Sequence, residues 1–278
     1  MIKLESIQDI INKYDNYIID QWGVMHNGIV GFDYAINCIN YLYKNGKNLF
    51  IISNSSKRQK FTQDKLSELG FEKNMFKKII TSGEMIWQNM KKEFSKYKET
   101  KKCFHIHDKT KKDGLAFRKG LNLSFVNNVA DADIILACTP FSNMLPVDYI
   151  PILNNAVNKK IKMYCANPDY ETTENNTDKK KFCMGAIAEI YTKMGGEVLI
   201  LGKPEEEIYI KTFKYTKIDK SKTIAIGDSL FHDIKGANNF CVDSILVISG
   251  IHKDLKTIDK LSKSHQIAPT YVINNFSV

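Results

Sequence analysis

Short apolar runs, each closed by a small or polar residue, constrain this chain more than any other feature. They are Tyr17-Ile18-Ile19-Asp20, Leu49-Phe50-Ile51-Ile52-Ser53, Val198-Leu199-Ile200-Leu201-Gly202, Thr223-Ile224-Ala225-Ile226-Gly227-Asp228 and Ile245-Leu246-Val247-Ile248-Ser249. A continuous apolar run of this length has no solvent face. It fits a strand of a parallel sheet covered by helices on both sides. Helical segments separate the runs, as crossover connections require. One begins at Pro204 followed by Glu205, Glu206 and Glu207, with proline in the first turn and acids at the positive helix end. Another stops at Leu69-Gly70. The expected fold is therefore α/β, a doubly wound parallel sheet.

The middle of the chain has an alternation of its own. Asp133 to Cys138 and Ile161 to Cys165 read as strands, and Val147, Ile150, Leu153 and Val157 between them fall at near-helical spacing. Met184, Ile187, Ala188 and Tyr191 follow the i, i+3, i+4, i+7 rule, and Gly195-Gly196 ends that helix. This block can bury a small core. The chain thus divides into a discontinuous core domain, residues 1–81 and 197–278, and an inserted α/β cap domain, residues 82–196.

Composition narrows the class. With 43% hydrophobic and 26% charged residues the chain is an ordinary globular protein. No apolar stretch reaches the roughly 18 to 20 residues that span a bilayer, and the first ten residues carry acids where a signal peptide is apolar. A cytoplasmic location and no membrane association are expected. The net charge of +9 calls for an anionic partner to be considered, but the lysines are scattered and Lys179-Lys180-Lys181 is their tightest cluster. Nothing accompanies them that would read nucleic acid, and none is expected as a partner. The six cysteines have no metal-binding spacing and imply no disulfide framework.

In doubly wound sheets ligands bind at the carboxyl ends of the strands. The runs deliver Asp20, Ser53, Lys203 and Asp228 to that edge. Two facing carboxylates repel each other, and a Mg²⁺ ion relieves them. A hydroxyl and an ammonium beside them suit the oxygens of a phosphoryl group. Any one of these residues alone is more often a turn or a helix cap; four in order point to one site.

At these residues the sequence resembles the haloacid dehalogenase (HAD) superfamily. Asp20-Gln21-Trp22-Gly23-Val24, Ser53-Asn54-Ser55, Gly202-Lys203-Pro204 and Gly227-Asp228 through Asp233 look like its four motifs, and the insertion between the second and third looks like its NagD-like, nitrophenylphosphatase-like subclass. Ile80 to Glu84, Ala166-Asn167-Pro168-Asp169 and the Gly185-Ala186 helix extend the resemblance over essentially the whole chain. The resemblance implies a phosphatase acting on a small phosphorylated metabolite. Asp20 would be the nucleophile. Asp20, Asp228 and the backbone carbonyl of Trp22 would hold Mg²⁺, with Asp233 steadying Lys203 or metal-bound water. Ser53 and Lys203 would bind the phosphoryl group, with Asn54 and Ser55 beside it. Asn167 and Asp169 would present a cap loop to substrate, although an Asn-Pro-Asp turn explains them equally well. A cap-mediated homodimer is also implied.

One position departs from the family. Two residues after the nucleophile the family usually has a second aspartate, the general acid and base, and here stands Trp22. An indole transfers no proton near neutral pH, and losing that help costs about 10² to 10⁴ in rate. A substrate with a good leaving group would tolerate the change. Another group could replace the acid, and His26 is the nearest candidate, although an ordinary turn histidine is the simpler reading. Alternatively the protein binds a phosphorylated ligand with little or no turnover. Carbon–halogen or carbon–phosphorus cleavage is disfavoured by the large inserted cap and by the lack of a Schiff-base lysine. His105 and His107 face one side of a cap strand, without a third residue that would make a metal site.

Overall fold

A computed structural model describes residues 1–110, 113–173, 180–214, 218–248 and 255–278. Ser249, expected to close the fifth apolar run, and Lys179 of the basic cluster lie outside the described residues.

The strands in chain order are β1 (Ile2–Lys3), β2 (Asn16–Ile19), β3 (Asn48–Ser53), β4 (Phe76–Thr81), β5 (Lys101–Ile106), β6 (Leu123–Val126), β7 (Ile134–Ala137), β8 (Lys162–Cys165), β9 (Glu171–Thr173), β10 (Lys180–Phe182), β11 (Val198–Ile200), β12 (Thr223–Gly227), β13 (Asp243–Val247) and β14 (Tyr271–Ile273). The helices are α1 (Asp33–Lys44), α2 (Gln59–Glu68), α3 (Ser82–Phe94), α4 (Asp113–Arg118), α5 (Ile150–Asn158), α6 (Met184–Lys193), α7 (Glu206–Phe213), α8 (Lys235–Phe240) and α9 (Leu255–His265).

The core sheet has the order β1-β14-β13-β12-β2-β3-β4, and its pairs are parallel. Side chains alternate between its faces as the period of two demands. Tyr17 and Ile19 of β2 join Leu49, Ile51, Ile224 and Ile226 against Ala35, Cys38 and Leu42 of α1. Ile18, Phe50, Ile52 and Ala225 turn the other way, onto Ile208 and Phe213 of α7 and Phe240 of α8. Each of these fully buried aliphatic side chains contributes about 1.5–3 kcal/mol relative to exposure. This is the doubly wound architecture expected from the apolar runs.

The cap is a second parallel sheet, β11-β8-β7-β5-β6, with the antiparallel pair β9–β10 beside it. Leu153 and Ala156 of α5 and Ile187 and Tyr191 of α6 cover one face; Ile86 and Met90 of α3 and Phe117 of α4 cover the other. Helix α3 follows β4 directly and packs on the cap sheet. The far boundary of the cap differs from the expected one. Val198–Ile200 pairs with β8 on the edge of the cap sheet, so the return to the core falls at Leu201–Gly202 rather than at residue 197. A three-residue apolar strand before Gly-Lys-Pro reads alike in either sheet, and only its pairing distinguishes them. All six cysteines are free thiols. Among the described residues no helix is long and apolar enough to cross a membrane.

Candidate active site

β2 and β12 are neighbours with Ile19 opposite Ile226, and the Asp20 N–H continues the ladder to the Ile226 carbonyl at 2.9 Å. Asp20, one residue past Ile19, and Asp228, two past Ile226, therefore leave the ends of adjacent strands. After Asp228 the chain makes a single wide helical turn, with Asp233 and Ile234 both donating backbone N–H to the Ser229 carbonyl. Such i→i+5 turns recur at functional sites. This one folds Asp233 back onto Gly227: a Cβ at Gly227 would lie 2.0 Å from the Asp233 carboxyl carbon, so only glycine fits. Ligand oxygens of Asp20, Asp228 and Asp233 then lie within 4.8 Å of one another, and all three residues are buried.

Lys203 enters the same space. Its Nζ donates to Asp20 Oδ1 and to Asp233 Oδ1, both at 2.6 Å, and the side chain is 5% exposed. Burial alone would lower its pKa, but the carboxylates of Asp20, Asp233 and Asp169 outweigh that and hold Lys203 well above its ordinary value. It is a permanent cation. Burial pushes the Asp20 carboxyl up to about 7; Lys203 pulls it down, and Asp233 and Asp169 push it up. One buried ammonium among three buried carboxylates leaves an excess of negative charge, which a divalent cation would neutralise. The all-oxygen donor set suits a hard ion of the Mg²⁺ kind.

Ser53 ends β3, 2% exposed, and its Oγ accepts from the Ser55 N–H at 3.2 Å. Asn54 ties three pieces together. Its Oδ1 accepts from the Lys203 N–H at 2.7 Å, and its Nδ2 donates to the Lys203 carbonyl at 3.0 Å and to Asp169 Oδ1 at 2.8 Å. Asp169 is thus a cap residue that reaches the core. Asn167 builds the turn that aims it, its Oδ1 accepting from the Asp169 N–H at 3.1 Å. The turn accounts for Asn167, and Asp169 adds a contact across to the core.

The segment after Asp20 is a tight loop. The Trp22 indole lies over Gly28 and meets the His26 ring edge-on, centroids 5.4 Å apart. His26 is 3% exposed, and its Nδ1 accepts from the Gly28 N–H at 3.1 Å. That contact places the ring proton on Nε2. Burial lowers its pKa to about 4, with Lys65 adding to the effect. A neutral imidazole that braces a turn gives no support to His26 as a proton shuttle. His105 and His107 lie together in the cap, away from this cluster, with ring centroids 4.4 Å apart.

His232 was not singled out from sequence. It is 7% exposed, with Nδ1 3.0 Å from Ser229 Oγ and 3.5 Å from Asp169 Oδ1, and its ring is 5.4 Å from Tyr170 of the cap. Its place directly before Asp233 in the fourth motif was the available signal.

A parallel doubly wound core that gathers two strand-end aspartates, a lysine and a third acid beside a second parallel sheet is the setting of a phosphohydrolase. The chain belongs to the haloacid dehalogenase-like hydrolases: that family's profile matches residues 17–116, and a second one, HAD-hydrolase-like, matches residues 200–278. It is similar to the 5'-nucleotidase YutF of Bacillus subtilis, 27% identical, across 96% of this chain and 98% of that protein. An acid sugar phosphatase of Staphylococcus haemolyticus is 24% identical over 96% of both chains. The crystal structure of a haloacid dehalogenase-like family hydrolase from Brucella suis superposes with a TM-score of 0.82 at 25% identity, covering 99% of this chain and all of the other.

Proposed function

We propose that this protein is a Mg²⁺-dependent phosphatase of a small phosphorylated metabolite, working through a phosphoryl group carried on Asp20. The observation that carries the reading is the double contact of Lys203 with Asp20 and Asp233 inside a buried acidic cluster. With Oδ1 of Asp20 held by the ammonium, Oδ2 is the oxygen to attack phosphorus as the bond to the leaving oxygen breaks. Water then cleaves the aspartyl phosphate and restores the carboxylate. Ser53 and Lys203 hold phosphoryl oxygens as charge develops on them. A divalent cation on Asp20, Asp228 and the Trp22 carbonyl, with Asp233 close by, would supply the positive charge that lets an anionic nucleophile meet an anionic substrate. Asp169 and Tyr170 bring the cap down on the site and exclude bulk water.

The relatives named as a 5'-nucleotidase and an acid sugar phosphatase support a phosphate monoester as substrate. The cytoplasmic setting and a cap-mediated homodimer are part of the same proposal. A second reading, a phospholigand-binding protein with little turnover, is favoured by Trp22, which puts an indole where the family has its proton donor and acceptor.

A phosphate-release screen with Mg²⁺ over sugar phosphates, nucleoside monophosphates, acyl phosphates and 4-nitrophenyl phosphate tests the assignment against Asp20→Asn. The proposal requires release by the wild type and loss of at least about 10³-fold in the variant, the scale of removing a nucleophile. Equal release by both proteins overturns it. Phosphate and Mg²⁺ binding without turnover selects the second reading.

A further inference from the structure

Counted within the cap, the order of the parallel strands is β6-β5-β7-β8-β11: second, first, third, fourth, fifth. The chain goes outward from β5 to β6 and then returns to β7 on the other side of β5. At such a reversal the two connections diverge and leave a crevice at the carboxyl ends of the strands, where ligands of doubly wound sheets bind. In this protein a cavity of about 410 Å³ lies there. His105 and His107 line it from β5 and the turn beyond, Asn127 from the end of β6, and Phe141 to Asn143 from the loop after β7. The volume is in the range of small-molecule pockets. None of the residues of the Asp20 cluster takes part.

The chemistry of the lining has a sign. Arg118, from the end of α4, donates Nε–H to His105 Nδ1 at 3.1 Å, and its Nη2 lies 3.3 Å from His107 Nε2. A guanidinium can only donate, so both imidazoles accept. The remaining proton of His105 sits on Nε2, which faces Cys138 Sγ at 3.3 Å. Burial holds His105 neutral, its pKa lowered to about 2 with help from His107 and Arg118. One nitrogen of each imidazole is thus taken by the arginine. The guanidinium has three further N–H groups, with no protein acceptor among the described residues. It also has no carboxylate partner among them. A partly buried cation without a counter-charge is costly, and here it borders a cavity to which Lys109 adds a second positive charge. No acidic side chain lines the cavity among the described residues. The rest of the wall is apolar: Phe104 and Phe141, whose ring centroids are 6.4 Å apart, and Ile152 of α5.

We propose that the cap carries a second ligand site, in which Arg118 pairs with the carboxylate or phosphoryl group of a small organic anion whose apolar body lies against Phe104, Phe141 and Ile152. The site does not depend on the role given to Asp20.

Binding of benzoate and of phenylphosphonate to the full-length protein, followed by calorimetry and by protein-detected NMR, tests it. Four proteins are compared: wild type, Arg118→Gln, Ile152→Trp, which fills the cavity, and Lys203→Ala, which disables the phosphoryl site. The expected result is binding of at least one probe that Lys203→Ala leaves unchanged and that Arg118→Gln and Ile152→Trp each weaken at least tenfold. Native circular dichroism and retained turnover of 4-nitrophenyl phosphate by Ile152→Trp show that loss of binding is not loss of fold. Tighter benzoate assigns a carboxylate ligand, and tighter phenylphosphonate a phosphorylated one. The proposal is overturned if neither probe binds at millimolar concentration, if binding vanishes in Lys203→Ala, or if it survives both cavity variants.

Discussion

The side-chain amide of Asn54 clamps the backbone of Lys203, accepting from its N–H at 2.7 Å and donating to its carbonyl at 3.0 Å. The two residues are 149 positions apart, and the contact fixes where the ammonium starts its reach toward Asp20 and Asp233. The same amide nitrogen donates to Asp169 of the cap.

Asn54→Ala removes all three hydrogen bonds and leaves a buried Lys203 N–H without an acceptor. At about 1 kcal/mol for each of the three hydrogen bonds plus about 1–3 kcal/mol for an orphaned donor, the loss is about 4–6 kcal/mol, read as a lower midpoint in urea unfolding. A displaced lysine slows turnover by about 10²-fold, the scale of an ångström's misplacement. A variant with wild-type turnover and stability contradicts the clamp.

The pH dependence of stability follows from Asp20. Its carboxyl ionises near 7 in the folded protein against an ordinary value of 3.8. The folded state thus holds the proton more tightly, the contribution is fully present below the unfolded value, and it is lost as pH rises from about 4 to about 7. In EDTA the melting temperature of the wild type falls over this window relative to Asp20→Asn. Mg²⁺ competes with that proton, so the rise in melting temperature on adding Mg²⁺ is larger at pH 8 than at pH 5. An equal or larger Mg²⁺ effect at pH 5 speaks against a cation on Asp20.

Trp22 and Gly28 form a steric pair. Gly28 has φ +87°, and a Cβ there would lie 2.2 Å from Cη2 of the indole. Gly28→Ala adds backbone strain to that clash, costs about 1–3 kcal/mol, and displaces the ring; in a Trp87→Phe background the remaining tryptophan reports the change by its fluorescence. Trp22→Asp restores a proton donor and acceptor and raises turnover of alkyl phosphates by about 10²-fold or more. No gain on any substrate argues that the site lacks more than this acid.

Much of the cluster was legible because it rests on a local rule: a strand buried on both faces delivers its last residues to the carboxyl edge of the sheet. Asp20, Ser53 and Asp228 follow from runs of four to six residues read one at a time. Lys203 was found for a partly mistaken reason, since the run before it, Val198–Ile200, belongs to the cap sheet and not to the core. Strand β14, only three residues long, carries too little pattern to be seen, although it completes the order between β1 and β13. Contacts across long separations were the least legible. Nothing local to Asp169 says that it meets Asn54, and nothing in the helical turn around His232 says that Asp169 lies 3.5 Å away. The cap pocket was hidden for the same reason: His105 and His107 were visible as a pair, but the arginine that joins them comes from the next helix.

The most direct measurement is acid-quench mass spectrometry of the protein during turnover of acetyl phosphate with Mg²⁺. The account predicts one added phosphoryl group, on the peptide containing Asp20, labile at alkaline pH and missing in Asp20→Asn. Steady phosphate release by the wild type with no adduct at Asp20, or with the adduct on another residue, contradicts it.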